Sequence, residues 1–144
     1  MSLLDVNYVD IKIYYRVHKK GKAKRIEVIF KEKAEEMIKD PEKGKDIEVL
    51  ETKWASSLTW KEEKEISKKA IEFDPITQKN TINTVEYRDG VIKSCLKDWN
   101  LVDDEGKKIP LINKNIDSLP SDIVFVLYSE YDEIINYSEE EAKN

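Results

Sequence analysis

The apolar positions of the first thirty residues recur with a period of two. In residues 9–17 every second side chain is apolar, and after a lysine-rich turn residues 26–30 repeat the spacing. This period places the apolar side chains on one face of an extended strand, which predicts an N-terminal β-hairpin. An isolated hairpin is marginal in water, so we expect further elements to cover it. The candidates for a third strand are Ile47, Val49 and Thr52.

Beyond the hairpin the pattern changes to one typical of helices. Residues 31–40 are helix-prone and end at an Asp-Pro pair, and residues 42–46 are predicted to form a charged loop. Thr59 and Glu62 fit a capping box, after which apolar side chains recur about every 3.6 residues. The spacing predicts a helix over about 60–73, with Trp60 on its core-facing side.

Two more helices are predicted in the second half of the chain. The first covers 81–99 with Gly90 in its interior, where the absence of a side chain indicates a kink or a close helix approach. An acidic turn at 103–106 follows, and 115–119 are predicted to form a single helical turn. The last helix opens at Ser121, which is expected to cap it.

These elements predict one α+β domain over residues 1–144. An N-terminal β-hairpin, for which a third strand is a candidate, packs beside three main helices. Residues 1–56 form the β-rich part, 57–137 the helical part and 138–144 an acidic tail. The length suits a single hydrophobic core.

Composition restricts the functional classes. Charged residues make up 38% of the chain and hydrophobic residues 40%, so a folded domain with a strongly solvated surface is expected. The net charge of -5 arises mainly at the C-terminal end, where residues 101–144 contain 4 basic and 11 acidic residues. A secretion signal and a long apolar run are both missing, which predicts a soluble, cytoplasmic protein that does not bind membranes.

The chain contains no constellation that indicates catalysis, a cofactor or a metal. The one cysteine, Cys95, lies among apolar residues at helical spacing, so we interpret it as structural. The acidic turn fails as an EF-hand, because Val102 and Asp103 occupy positions that require a ligand and a glycine. We therefore predict a protein that is not an enzyme and holds no cofactor.

A cluster of basic residues at the hairpin turn is the first candidate for binding a partner. It consists of Lys19, Lys20, Lys22, Lys24 and Arg25. Such a cluster attracts acidic surfaces, whereas the alternative is a solvated turn that discourages edge pairing. No aromatic platform interleaves these lysines in an acidic chain, so no nucleic-acid binding is expected.

Aromatic residues are the other candidates for a partner surface. Tyr14 lies on the polar side of its strand and is predicted to be exposed, which makes it a partner-binding candidate. Trp99, like Trp60, lies on an apolar helix face and is predicted to be in the core.

Four segments from residue 57 onwards carry a resemblance to a known family. They are SLTWKEEKEISKKA from Ser57, YRDGVIKSCLKDWNLVDDEGKKIPL, NIDSLPSDIVFVLYSEYDEI and the terminal EEEAKN. Together they resemble small tail assembly chaperones of tailed phages and prophages of Gram-positive bacteria. The similarity spans about 51–144.

The resemblance implies a function in the cytoplasm of the host cell. Members of that family are thought to keep the long helical tape-measure protein soluble while tail-tube subunits gather around it. A tape-measure or other tail protein is then the expected partner, and self-association between the basic turn and the acidic tail is a further hypothesis. The alternative function is a structural virion component, such as a tail-completion or head-tail connector subunit.

Overall fold

The computed structural model describes residues 2–136, in which six strands and six helices are found. The strands are β1 Tyr8–Lys20, β2 Ala23–Ile29, β3 Glu48–Ala55, β4 Ile71–Asp74, β5 Lys79–Ile82 and β6 Leu96–Trp99. The helices are α1 Lys31–Ile38, α2 Pro41–Gly44, α3 Trp60–Ala70, α4 Thr84–Cys95, α5 Asn113–Asp117 and α6 Ser121–Ile135. The predicted α+β class is confirmed. The acidic tail predicted at 138–144 lies outside the described residues.

Four strands form one antiparallel sheet in the order β2-β1-β3-β6. The predicted hairpin is β1 with β2, and the predicted third strand is β3, so both predictions are confirmed. The first half of β1 pairs with β3 up to Tyr15, whereas its second half pairs with β2 alone. The tip of the hairpin therefore projects beyond the rest of the sheet.

One face of the sheet packs against α3, α4, α5 and α6. Residues from these helices and from β1, β3 and β6 share a single apolar core. Its largest fully buried side chains are Trp54, Tyr131, Leu50, Leu127 and Cys95. The predicted burial of Cys95 and Trp99 is confirmed. Because β6 lies in this part of the chain, the segment after residue 57 supplies a strand of the sheet as well as helices.

The opposite face of the sheet is partly covered by α1, and this corrects the prediction for Tyr14. That side chain is only 8% exposed, because it packs with Ile29 and Ala34 beneath α1. A period of two identifies one apolar face, but it does not reveal that a helix later in the chain covers the polar face as well. The predicted charged loop that follows is in part the short helix α2, capped by the Asp40 side chain.

Helix α3 begins at the predicted residue, but it ends before the predicted one. Thr59 and Glu62 form both hydrogen bonds of a capping box. Trp60, however, is 73% exposed and not in the core. It lies six residues from the buried Ile66, which places it about 120° away from the buried stripe at 100° per residue. The helix ends at Ala70, and Phe73 belongs to β4.

The helix predicted at 81–99 is divided among three elements. β5 precedes Asn83, whose side-chain oxygen caps α4 by accepting a hydrogen bond from the Glu86 amide. α4 ends at Cys95, and the following residues become the edge strand β6. The close helix approach at Gly90 is confirmed, because a Cβ there would lie 2.8 Å from Ile66 Cγ1. Capping by Asn83 shortens this helix at its start, and the long-range pairing of β6 with β3 shortens it at its end.

The connection between α4 and α6 contains the predicted acidic turn. The Asp103 carboxylate accepts hydrogen bonds from the amides of Glu105 and Lys107, each at 2.9 Å. Helix α5 overlaps the single turn predicted at 115–119, but it begins and ends two residues earlier. The cap of α6 was predicted wrongly, because Pro120 occupies the cap position and makes no side-chain hydrogen bond. Within residues 2–136, no helix is long and apolar enough to cross a membrane.

Candidate protein-binding groove

The predicted basic cluster lies together at the tip of the β1–β2 hairpin. Lys19 pairs with Lys24 across the two strands, and all five cations are exposed. None of them forms an ion pair within the described part of the chain. The hairpin extends about five residues past its pairing with β3, which is about 17 Å of strand. Tyr14, the sixth predicted residue, is buried at the base of the hairpin and does not join this surface.

A hydrogen bond between a histidine and a carboxylate lies next to this basic tip. The His18 ring nitrogen Nε2 and the Glu27 oxygen Oε1 are 2.9 Å apart. The hydrogen bond to His18, with Arg16 and Arg25 nearby, holds the pKa of the Glu27 carboxyl below its usual range. The tip is thus a positively charged, solvated surface with one carboxylate at its base.

A second surface, which the sequence did not predict, is a groove formed by α4, α5 and α6. It has a volume of about 470 Å³. Most of its lining is apolar, with side chains from all three helices and from the segment that joins α5 to α6. The apolar residues are Val85, Ile92, Ile116, Leu119, Val124, Phe125 and Tyr128. We call this surface the α4–α6 groove.

The most exposed apolar side chains of the groove lie on its two main helices. Val85 of α4 is 69% exposed, and Phe125 of α6 is 63% exposed. The core-facing stripe of α6 is Ile123, Leu127 and Tyr131. Phe125 lies two residues from this stripe and so points to the other side of the helix. Large apolar groups left in water in this way mark interaction surfaces when they are contiguous.

Two carboxylates at one end of the groove share one lysine. Lys93 Nζ lies 2.8 Å from an Asp117 oxygen and 3.1 Å from an Asp89 oxygen. The hydrogen bond to Asp117, followed by the one to Asp89, raises the pKa of Lys93 despite its partial burial. One lysine therefore links α4 to α5 and offsets one of the two negative charges there.

Arg88 lies at the middle of the groove, where it stacks on an aromatic ring. Its guanidinium carbon is 5.5 Å from the centroid of Tyr128. Burial, followed by the Asp132 carboxylate, raises the pKa of Tyr128, whereas Arg88 opposes the shift. Both charges thus lie near this ring, and beyond it the groove continues along α6 past Asp132 and Glu133.

A smaller apolar surface lies at the end of the α3–α4 pair. The hairpin β4–β5 exposes Phe73 by 63%, Ile76 by 91% and Ile82 by 64%. Ile71 and Ile82 pair directly across the two strands. This two-stranded sheet is separate from the main sheet, and its residues do not line the α4–α6 groove.

The chemistry of the groove is mainly that of its apolar side chains. Within residues 2–136 there is no group of three or more side chains suited to hold a metal ion. Cys95 lies below the surface, fully buried, and desolvation raises the pKa of its thiol. The exposed groups of the groove are apolar side chains with a few charges on the rim, an arrangement suited to binding another protein.

The sequence contains one indication of this surface, which the prediction of core positions did not consider. Phe125 is a large aromatic residue on the side of a predicted helix opposite the core stripe. Comparison of the chain with protein-family models, with curated proteins and with solved structures gave no match.

Proposed function

We propose that this protein is a phage tail assembly chaperone that binds the tape-measure protein in the α4–α6 groove. The observation that carries the proposal is the groove itself, a contiguous apolar surface left open between two helices of the domain. The resemblance described above is the reason for proposing the tape-measure protein as the client. Protein binding in the cytoplasm of the host cell, without a reaction or a cofactor, is the mode of action.

The size of the exposed apolar side chains determines how strongly the groove is expected to bind its client. Full burial of side chains such as those of Val85 and Phe125 contributes about 1.5–3 kcal/mol each. Part of that gain is offset by the entropy lost on association, so one groove binds weakly. A long helical client offers many equivalent segments, and several chaperone copies along it shield its apolar surface together.

Co-expression with the tape-measure protein tests this function. We expect the unchanged chaperone to keep the client in the soluble fraction, and Phe125→Lys to lose this effect because binding of the client would then bury a charge. Phe73→Lys is the matched control, since both phenylalanines are 63% exposed and only Phe125 lies in the groove. Equal solubilisation by the two variants contradicts the proposal.

Mass spectrometry of purified particles distinguishes a chaperone from a virion component. A chaperone leaves the tail before the particle is complete, so we expect this chain to be missing from mature particles. Its presence there in stoichiometric amounts would identify a structural subunit, such as a tail-completion or connector protein, and would overturn the chaperone function.

A further inference from the structure

We propose that the α4–α6 groove selects an amphipathic helix in which a carboxylate and a cation lie about one turn apart beside the apolar stripe. The carboxylate meets Arg88, and the cation meets Asp132 and Glu133. This inference rests on the proposed function, to which it adds the chemistry of the client surface.

The lining of the groove has the spacing of a helix-packing surface. On α4 the lining positions are Val85, Arg88, Asp89 and Ile92, and on α6 they are Ser121, Val124, Phe125 and Tyr128. Both sets follow the pattern i, i+3, i+4, i+7, which forms the ridges that interdigitate when helices pack. Grooves of this kind accept the apolar face of an amphipathic helix. The groove and its continuation follow α6 for about 15 residues, or about 22 Å.

Arg88 gives the middle of the groove a positive charge. The two carboxylates of the lining, Asp89 and Asp117, share Lys93. Arg88 forms no ion pair within residues 2–136 and is held on the rim by the Tyr128 ring. A carboxylate on the partner helix would therefore meet a cation that is already positioned.

One turn further along α6, the charged side chains that line the groove are negative. Asp132 and Glu133 line the continuation of the groove beyond Arg88 and Tyr128. No lysine or arginine occurs between Lys114 and the end of α6 at Ile135, so this end of the helix carries only negative charge. Four residues separate Tyr128 from Asp132, which is about 6 Å along the helix. The partner's cation should therefore lie about four residues from its carboxylate.

Designed peptides of about 16 residues, long enough to fill the groove as helices, test the proposal. The first carries an apolar stripe flanked by Glu and, four residues later, Lys. The second replaces both charges with Gln, and the third replaces Glu with Lys. Fluorescence anisotropy at low salt measures the dissociation constant of each peptide for the full chain.

Charge reversal in the protein supplies the decisive comparison. We expect Arg88→Glu to weaken the binding of the Glu/Lys peptide by about tenfold, because repulsion replaces attraction. The same variant should bind the Lys/Lys peptide tightly, because attraction replaces repulsion there. The Gln peptide should bind both proteins equally. Lys45→Glu, the same reversal of charge at an exposed position after α2 and outside both candidate surfaces, should leave all three affinities unchanged.

Three results would overturn the proposal. The first is that all peptides bind the unchanged protein with equal affinity. The second is that Arg88→Glu weakens the binding of every peptide equally. The third is that no peptide binds, while the protein forms oligomers that dissociate on Phe125→Lys. The last result would assign the groove to a second copy of the chain. In the first two cases the solubilisation experiment still decides the chaperone function, so the two proposals can fail separately.

Discussion

Gly90 of α4 lies directly against the side chain of Ile66 in α3. A Cβ on Gly90 would lie 2.8 Å from Ile66 Cγ1 and 2.9 Å from Cγ2, closer than Cβ contacts in proteins allow. Ile66 is buried, so it has little room to move away. The missing side chain is thus a requirement of the contact between the two helices that carry the β4–β5 hairpin.

Gly90→Ala should therefore destabilise the protein, although alanine favours helix formation. The propensity gain is about 1 kcal/mol, whereas overpacking of a tight contact costs about 1–3 kcal/mol. We expect the free energy of unfolding in urea to fall by about 1 kcal/mol. In an Ile66→Ala background the obstructing atoms are gone, and the same glycine substitution should become stabilising. If Gly90→Ala still lowered the free energy of unfolding in that background, the steric explanation would be contradicted.

The features that the sequence predicted correctly depend on short-range interactions. The hairpin, the Thr59 capping box and the acidic turn at Asp103 each follow from residues a few positions apart. Gly90 was recognised because glycine within a helical pattern costs stability unless a close contact requires it. Its partner Ile66 lies 24 positions away, and the sequence alone did not identify it.

The features that were missed depend on long-range packing. Tyr14 is buried because α1 returns over the second face of the sheet. The strand β6 exists because it pairs with β3, more than forty residues earlier, and this pairing ends the helix at Cys95. The α4–α6 groove is likewise a property of three helices together, so the pattern of any one of them contained only the exposed Phe125 as a clue.

A buried hydrogen bond fixes α6 to the sheet, and its removal should be costly. The Tyr131 hydroxyl donates to the Ala55 carbonyl oxygen at 2.6 Å, and its ring stacks on Trp54 with centroids 4.8 Å apart. Tyr131→Phe keeps the stacking and loses the donor, so we expect a loss of about 1–2 kcal/mol in the free energy of unfolding. Tyr128→Phe is the control, because within residues 2–136 its hydroxyl makes no hydrogen bond. Equal stability of both variants would refute this assignment.

The capping box at Thr59 predicts a smaller and more local effect. Thr59→Ala removes the acceptor for the Glu62 amide, which lies 3.2 Å from the hydroxyl oxygen. We expect a loss of about 1 kcal/mol, measured by thermal or urea unfolding. Thr59→Ser keeps the hydroxyl and should restore most of the stability. Ser57→Ala, an exposed change two residues away, should have almost no effect.

The pKa of Tyr15 predicts how stability changes in alkaline solution. Burial, followed by the neighbouring Glu48 carboxylate, raises the pKa of Tyr15 to about 12. The ordinary value in an unfolded chain is about 10, so between these two pH values the folded state holds this proton more tightly. By linkage, the stabilising contribution is complete below about pH 10 and is lost as the pH rises towards 12.

Residue-specific NMR titration of the tyrosine rings checks this prediction, since the chain contains seven tyrosines. The midpoint for Tyr15 should lie near 12 in the unchanged protein. In Glu48→Gln it should move downwards, because the negative neighbour is removed, yet stay above the ordinary value because burial is the larger cause. A midpoint that does not respond to this substitution would show that Glu48 has no influence on the phenol. In Tyr15→Phe, the decline of the free energy of unfolding above about pH 10 should become shallower.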